Sequence, residues 1–281
     1  MTTSSSAERS RSPKPQTTRS AVRCIYNDDR AQIVFTDTPG LYRPKDSDRL
    51  GRFLTDSAAK AIEDADVVCW LIDAGSKKID PEDAEAANVI SQSEKPVILV
   101  ANKADTADPS EALSIYERSY KNIVGKLAIS AKLGRGLDAL IDMILPLLPE
   151  GTPWYDPDIL MDSTERFMAS EIIRGKVLSL LRDEVPHRTA VEIEEYKSPD
   201  EYPEKKRLYI RASLIVETEG QKAILIGAGG KMIKKIGRSA RVDLEELTGW
   251  PVYLELWAKV SPNWRRSELM LRRLGYAASE D

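Results

Sequence analysis

The chain has 281 residues, 42% apolar and 31% charged, with 41 Lys and Arg against 45 Asp and Glu, for a net charge of −4. That length suggests about two domains, since single cores seldom grow past roughly 250 residues, and the composition excludes global disorder. No run reaches the roughly 20 apolar residues of a membrane span, residues 1–12 lack the apolar core of a secretory signal, two cysteines exclude a disulfide scaffold, and one histidine, His187, leaves zinc or triad chemistry without partners.

Residues 1–20 are rich in Ser, Thr and Arg, and Pro13 and Pro15 block regular structure, so a mobile start is expected. Residues 31–36 (AQIVFT) read as a strand ending at the turn Asp37-Thr38-Pro39-Gly40. A polar loop follows. The runs 67–72 (VVCWLI) and 97–100 (VILV) have the near-continuous apolar character of parallel strands buried on both faces. Pro81–Gln92 reads as a helix with Asp80 as N-cap, and 137–148 as a helix carrying Leu137, Leu140, Ile141, Ile144, Leu145 and Leu148 at helical spacing. This alternation predicts an α/β domain, a parallel sheet with helices on both sides.

Three prolines and a glycine between 149 and 157 have a linker composition, which places a boundary over 150–160. Beyond it, 163–182 reads as an amphipathic helix, and 190–195 and 208–216 as half-exposed strands. Residues 222–226 lead into Gly227-Ala228-Gly229-Gly230, a basic helical stretch runs to Arg241, and 251–260 forms a last strand, giving an α+β unit.

Three loops carry chemistry, each directly after an apolar run, where open α/β sheets bind their ligands. An acid at Asp37 can hold Mg²⁺ through water, and the Gly40 N–H can approach a γ-phosphate. In Asn102-Lys103-Ala104-Asp105 the Asp105 carboxylate can accept two hydrogen bonds from the N1 and amino groups of guanine, a pattern adenine does not offer. Asn102 would tie loops together, and the Lys103 stem can lie over the ring. Ser130-Ala131-Lys132 supplies a backbone N–H for the guanine carbonyl.

The Gly-x-x-Gly run is the second signal. From Gln221 to Arg241 the sequence holds six basic residues and no acid, a single-sign patch that attracts a polyanion through counterion release. Glycines at 227, 229 and 230 let backbone approach phosphates, and the helix start adds donors. Gly227, Ala228, Gly229, Gly230, Lys231, Lys234, Lys235 and Arg238 are the candidate RNA contacts.

Taken with Pro13-Lys14-Pro15-Gln16-Thr17-Thr18-Arg19, these boxes resemble those of the Era GTPases, and 221–241, 251–260 and the ending Leu274-Gly275-Tyr276 are similar to that family's KH domain. The resemblance implies a P-loop-NTPase-like G domain over 21–149, after a mobile segment 1–20 bearing the first switch, and a type II KH domain over 161–281. It implies that Thr18 ligates Mg²⁺ with Asp37, that Thr18, Asp37 and Gly40 serve hydrolysis, and that Asp37, Thr38, Pro39, Gly40, Asn102, Lys103, Asp105, Ser130, Ala131 and Lys132 hold GTP or GDP. Leu41 stands where other GTPases carry a water-orienting glutamine. The implied partners are 16S-type small-subunit ribosomal RNA near its 3′ end and the small ribosomal subunit, whose assembly and RNA maturation the protein would assist. A cytoplasmic monomer is implied, with peripheral contact at the inner face of the cell membrane as a further implication.

No Gly-x-x-x-x-Gly-Lys-Ser/Thr occurs before Pro13, and no strand and helix precede the first switch. The expectation is a parallel sheet open in its middle, with unpaired edges. GTP and Mg²⁺ binding is then weak or absent, and two readings stay open: a GTPase with a truncated or mis-started amino terminus, or a non-catalytic RNA-binding KH protein with a degenerate G domain. Among the remaining residues, His187 reads as a surface histidine, Cys24 and Cys69 as small core residues, and Trp154, Trp250 and Trp257 as packing residues. Glu192, Glu194 and Glu195 read as a solvated strand face. Trp264, beside Arg265 and Arg266, is the one tryptophan that invites an RNA reading, with Lys259, Arg265 and Arg266 extending a phosphate track.

Overall fold

The computed structural model describes residues 19, 21–41, 44, 48–202, 204 and 206–276, so the expected mobile start lies outside it except for Arg19. The chain divides into two compact units. One is built from Ser20–Lys45 and Gly51–Asp162; the other contains Ser163–Asp281, and the described residues Arg19, Asp48, Arg49 and Leu50 cluster with it.

In the first unit β1 (Val22–Asn27) and β2 (Gln32–Asp37) form an antiparallel hairpin, with Val22 opposite Asp37. Asp28 shapes its turn by accepting the N–H groups of Arg30 and Ala31 at 2.8 and 3.0 Å. The stretch read as a polar loop contains α1 (Arg49–Asp64), whose Leu50, Leu54, Ala58 and Ile62 recur every four residues and are buried. Phe53 and Ala61 flank that seam half-buried, while exposed Arg49, Arg52, Asp56, Lys60 and Glu63 on the other face give the stretch its polar look.

Strands β3 (Val68–Asp73), β4 (Val97–Asn102) and β5 (Ile123–Ala128) form a parallel sheet in the order β3-β4-β5. The intervening helices are α2 (Pro81–Gln92) and α3 (Ser110–Ser119), and α4 (Leu137–Ile144) follows β5. Central β4 is the most deeply buried strand: Ile98, Leu99, Val100 and Ala101 show no exposure. Alternation sends Val97, Leu99 and Ala101 toward Ala87 and Ile90 of α2 and Ala112 and Tyr116 of α3, while Ile98 and Val100 meet Leu140, Ile141 and Ile144 of α4. Each Val, Leu or Ile side chain so buried is worth about 1.5–3 kcal/mol. Asp80 precedes α2 in extended backbone, but its side chain makes no cap hydrogen bond.

Strand β3 departs from the expectation of burial on both faces, because Leu71 is 54% exposed. The cause is its place at the sheet edge. Among the described residues β3 pairs with β4 alone, while β2 belongs to a separate sheet in the order β2-β1-β6, with β6 at Met161–Asp162. The stretch read as a linker is hydrogen-bonded to the hairpin: Ile25 N–H reaches Leu160 O at 2.9 Å, and the Gln32 side-chain oxygen Oε1 accepts the N–H groups of Trp154 and Tyr155 at 2.8 and 2.9 Å.

The second unit opens with α5 (Glu165–Leu180), capped by Thr164, followed by β7 (Ala190–Lys197) and β8 (Leu208–Val216), then α6 (Glu219–Ile226) and α7 (Lys231–Thr248). Strand β9 (Val252–Val260) and α8 (Glu268–Arg273) close it. The sheet order is β7-β8-β9, antiparallel then parallel. Alternate residues of β8, Leu208, Ile210, Ala212, Leu214 and Val216, pack with Ala169, Ile173 and Val177 of α5 and Ile236, Ala240 and Leu244 of α7. No described helix is long and apolar enough to cross a membrane.

Candidate guanine pocket and nucleic-acid interface

At the carboxyl end of β4, Asn102 Oδ1 accepts the N–H of Lys103 at 2.7 Å and that of Ala131 at 3.1 Å. One amide oxygen thereby ties the 102–105 loop to the 130–132 loop, the role expected of Asn102. The turn holds Lys103 at φ +66°, a left-handed conformation that costs a non-glycine residue about 1–2 kcal/mol and concentrates at functional sites. Asp105 is exposed, and Ser130, 2% exposed, donates its hydroxyl to Asp105 Oδ1 at 2.6 Å. That bond is the main reason the Asp105 carboxyl titrates below its ordinary value. A buried hydroxyl thus aims an ionised carboxylate outward, as a base-reading acceptor requires.

Lys103 is placed differently from the sequence expectation of a stem over a ring: Nζ pairs with Asp73 Oδ2 at 2.6 Å. Asp73 closes β3 opposite Asn102 and was not singled out. Its signal was its position, an acid ending an apolar strand like Asp37. The Lys103 hydrogen bond, then the Gly75 N–H, holds the Asp73 carboxyl below its usual range. A second contributor the sequence did not reveal is Arg135, whose N–H and C=O pair with Ser130 at 3.1 and 3.0 Å and fix the 130–135 turn.

The phosphate side is less furnished. Asp37 ends β2 exposed, Pro39 is buried, and a Cβ added to Gly40 would meet nothing within 4 Å, so the turn leaves room for a ligand. Thr18 and its neighbour Thr17 lie outside the described residues. Among the described residues no group of three or more His, Cys, Asp or Glu could hold a metal ion. The residues present fit a guanine base; for Mg²⁺ they offer Asp37 alone, and no step is derived through the ion.

In the second unit, helix α6 is set by a capping box between Thr218 and Gln221 and ends at Gly227, with φ +70° and ψ 169°. A Cβ at Gly227 would lie 2.7 Å from Met232 Cβ, so this glycine is demanded by packing as well as by backbone. Gly229 and Gly230 also have positive φ, 59° and 76°, and at Gly229 nothing lies within 4 Å of an added Cβ. Gly227 builds the turn and Gly229 leaves its face open. Gly227→Ala is expected to destabilise this unit by about 1–3 kcal/mol, read as a lower denaturation midpoint; an unchanged midpoint would contradict the packing argument.

Helix α7 starts at this loop and buries Ile236, Ala240 and Leu244, which turns Lys231, Lys234, Lys235 and Arg238 to solvent. None of the four forms an ion pair with a described residue. They line a cleft with Ser239, and an adjoining cleft runs between Ile233, Gly237 and Arg241 of α7 and Tyr253, Leu254 and Leu256 of the edge strand β9. The β9 wall was missing from the sequence reading, because only parallel pairing of β9 with β8 brings it beside α7. The result is a groove with a basic helix on one side, apolar and aromatic side chains on the other, and glycine backbone at its end. That combination suits single-stranded nucleic acid, with phosphates on the lysines and bases in the groove.

Several sequence expectations change. Trp264 is fully buried and donates its indole N–H to Arg188 O at 3.1 Å, which removes it as an RNA platform. Trp154, Trp250 and Trp257, read as packing residues, are 84%, 37% and 54% exposed. Lys259 pairs with Glu194 and Arg265 with Asp48, so neither side chain is held out for phosphate. Glu192, Glu194 and Glu195 are half-buried in ion pairs with Arg273, Lys259, Arg211 and Lys197 rather than simply solvated. Cys24 and Cys69 are half-buried, and burial pushes the Cys69 thiol up to about 11.

Comparison with known proteins agrees with both halves. Residues 184–265 match the family model described as KH domain, and 2–103 match that described as 50S ribosome-binding GTPase. The chain is 40% identical over 269 residues to GTPase Era of Caldanaerobacter subterraneus subsp. tengcongensis, covering 95% of this chain and 88% of that one. It is 43% identical over 272 residues to GTPase Era of Aquifex aeolicus, covering 95% and 89%. A crystal structure of Era in complex with MgGDPNP and nucleotides 1506–1542 of 16S ribosomal RNA superposes with a TM-score of 0.88 at 41% identity, over 96% of this chain and 90% of that one. An Aquifex aeolicus Era variant bound to GDP.AlF4− gives the same TM-score, identity and coverage.

Proposed function

The chain belongs to the Era GTPase family, and from that premise we propose that it binds guanine nucleotides, grips the 3′ end of small-subunit ribosomal RNA and assists small-subunit assembly and rRNA maturation. The observation that carries the nucleotide reading is the outward Asp105 carboxylate, held by buried Ser130 beside the loop tie made by Asn102. Asp37, Thr38, Pro39 and Gly40 face the phosphates, with Thr18 as the further Mg²⁺ ligand. Asn102, Lys103, Asp105, Ser130, Ala131 and Lys132 surround the base. Gly227, Ala228, Gly229, Gly230, Lys231, Lys234, Lys235 and Arg238 contact RNA, and Tyr253, Leu254 and Leu256 receive its bases. Support for the RNA partner comes from the 16S fragment bound in the related structure and from the shared KH region. The G domain spans 21–149 and the KH domain 161–281, and the protein acts as a cytoplasmic monomer that also contacts the inner face of the cell membrane.

The nucleotide reading is tested on the purified chain with fluorescently labelled GDP, competed by unlabelled GDP, GTP and ADP. Displacement by GDP and GTP, with ADP at least about 100-fold weaker, is the expected result, because adenine reverses the donor pattern that Asp105 accepts. Equal displacement by ADP would end the guanine reading. Phosphate release from GTP, measured in the same preparation, separates hydrolysis from binding without turnover.

A further inference from the structure

Strand β3 delivers a further loop to the carboxyl end of the sheet, beside the 102–105 loop that follows β4. Parallel pairing sets Asp73 opposite Asn102, and one more bond continues the ladder, from the Ala74 N–H to Asn102 O at 2.8 Å. The chain then turns back: Asp73 Oδ1 accepts the Gly75 N–H at 2.9 Å, and Asp73 O accepts the Ser76 N–H at 3.0 Å. Fully buried Tyr116 of α3 donates its hydroxyl to Asp83 in the first turn of α2, with the Ser76 side chain in hydrogen-bonding reach of that phenol. A braced loop therefore presents Asp73.

Its partner is Lys103, and every polar group of that lysine is held. The Lys103 N–H goes to Asn102 Oδ1 at 2.7 Å, its C=O accepts the Thr106 N–H and hydroxyl, both at 2.9 Å, and its Nζ reaches Asp73 Oδ2 at 2.6 Å. The backbone contacts lie within the 102–106 turn and hold its left-handed conformation; only Asp73 governs the end of the side chain. Lys77 and Lys78 are nearer to Asp73 in sequence, yet its ion pair is made with Lys103, 30 residues away.

An ammonium on a flexible stem competes for any carboxylate within its reach, and Asp105 stands two residues further along the same loop, exposed and ionised. The cations that bear on Asp105 are Lys132 and Arg135, and Lys103 is not among them. We propose that Asp73 is a positioning residue of the base site: it engages the Lys103 ammonium at the end of β3, which keeps that ammonium off Asp105 and leaves the Asp105 carboxylate open to the donors of a purine base. The identity of the base as guanine rests on the reading of the preceding subsection; the diversion of Lys103 does not. Asp73 touches no ligand in this role and acts through Lys103 alone. The two side chains are 63% and 44% exposed, so solvent screens the pair and the effect is a few-fold one.

The test uses the full chain in two arms. In the first, lysine amines of the nucleotide-free protein are pulse-acetylated at neutral pH and Lys103 is followed by mass spectrometry in wild type, Asp73→Asn, Asp105→Asn and the two combined. Asparagine keeps an oxygen for the Gly75 N–H, so the loop stays while the charge goes. Acetylation of Lys103 should be slow in wild type and in both single variants, because either acid can hold the ammonium, and about threefold faster when both are replaced. Fast acetylation in Asp73→Asn alone means that Lys103 has no second acid to go to, and it overturns the proposal. The second arm is a double-mutant cycle read by titration with labelled GDP. Asp73→Asn is expected to weaken GDP binding about fivefold, the upper range for a part-exposed ion pair. In a Lys103→Met background, which keeps the stem and drops the ammonium, the same change should cost less than about 1.5-fold. Equal losses in the two backgrounds would show that Asp73 acts on the loop and not through Lys103, which also overturns the proposal. A wild type that binds no nucleotide removes the guanine reading alone, and the acetylation pattern then decides whether Asp73 diverts Lys103.

Discussion

Replacing Asp105 with Asn is expected to weaken GDP binding by at least about 100-fold and to shift preference toward xanthine nucleotides. Two hydrogen bonds to a charged acceptor are lost, and each bond of that kind is worth a factor of roughly ten or more in affinity. An amide at the same place can donate to the C2 carbonyl that xanthine carries where guanine has its amino group. Removing the Ser130 hydroxyl should have a smaller effect, about tenfold, because it orients the carboxylate through the 2.6 Å bond rather than touching the base. The pH dependence follows from the direction of the titration shift. Asp105 titrates below its ordinary 3.8 in the folded chain, so the ionised form persists from neutral pH into mild acid and is lost only as pH falls through that depressed value. GDP affinity should therefore be flat from pH 8 down to about 5 as far as this group is concerned. Fluorescence titration across that range checks both points, and an Asp105→Asn chain with wild-type GDP affinity would remove the guanine pocket from the account.

The other large effect belongs to the glycine loop. Changing Gly229 and Gly230 to Asp places two negative charges where backbone should meet phosphate, at positions with φ 59° and 76° where Asp is better tolerated than most side chains. The unit should fold while affinity for a 16S 3′-end oligonucleotide falls by at least about tenfold, since like charges now face the strand. Wild-type binding carries its own signature. With four phosphate contacts from Lys231, Lys234, Lys235 and Arg238, raising salt from 50 to 200 mM should weaken binding roughly 50-fold, from the slope expected for single strands. Each Lys→Ala change in that set should reduce the slope by about 0.7. Wild-type RNA retention by the double-Asp chain, or binding indifferent to salt, would count against the clamp.

The two halves of the molecule differ in how openly the sequence declared them. Strand β8 and helix α2 have the limits their patterns suggested, because period-two alternation and a proline at a helix start are local signals. Strand β1 and helix α1 escaped notice for a physical reason: Val22–Asn27 places Arg23 and Asn27 among few strongly apolar residues, and the apolar stripe of α1 is interleaved with Arg52, Asp56, Lys60 and Glu63. Their burial is supplied by partners far away in sequence. Leu71 shows the converse, a residue inside an apolar run that the sheet leaves exposed because its strand is at an edge.

The loop chemistry was settled locally: Asn102 and Asp105 in one box, Ser130 in another, three positive-φ glycines before a basic helix, each residue type fixed by hydrogen-bonding capacity or backbone freedom. What only folding decided are the pairings across long sequence separations. Asp73 meets Lys103, β9 faces α7 to make a groove, Trp264 goes inside to receive Arg19, and Asp48 finds Arg265. A sequence specifies which groups can donate, accept or carry charge; which of them stand within 3 Å of each other depends on strand order and helix packing, and those are set by the summed burial of the whole core rather than by any neighbouring residue.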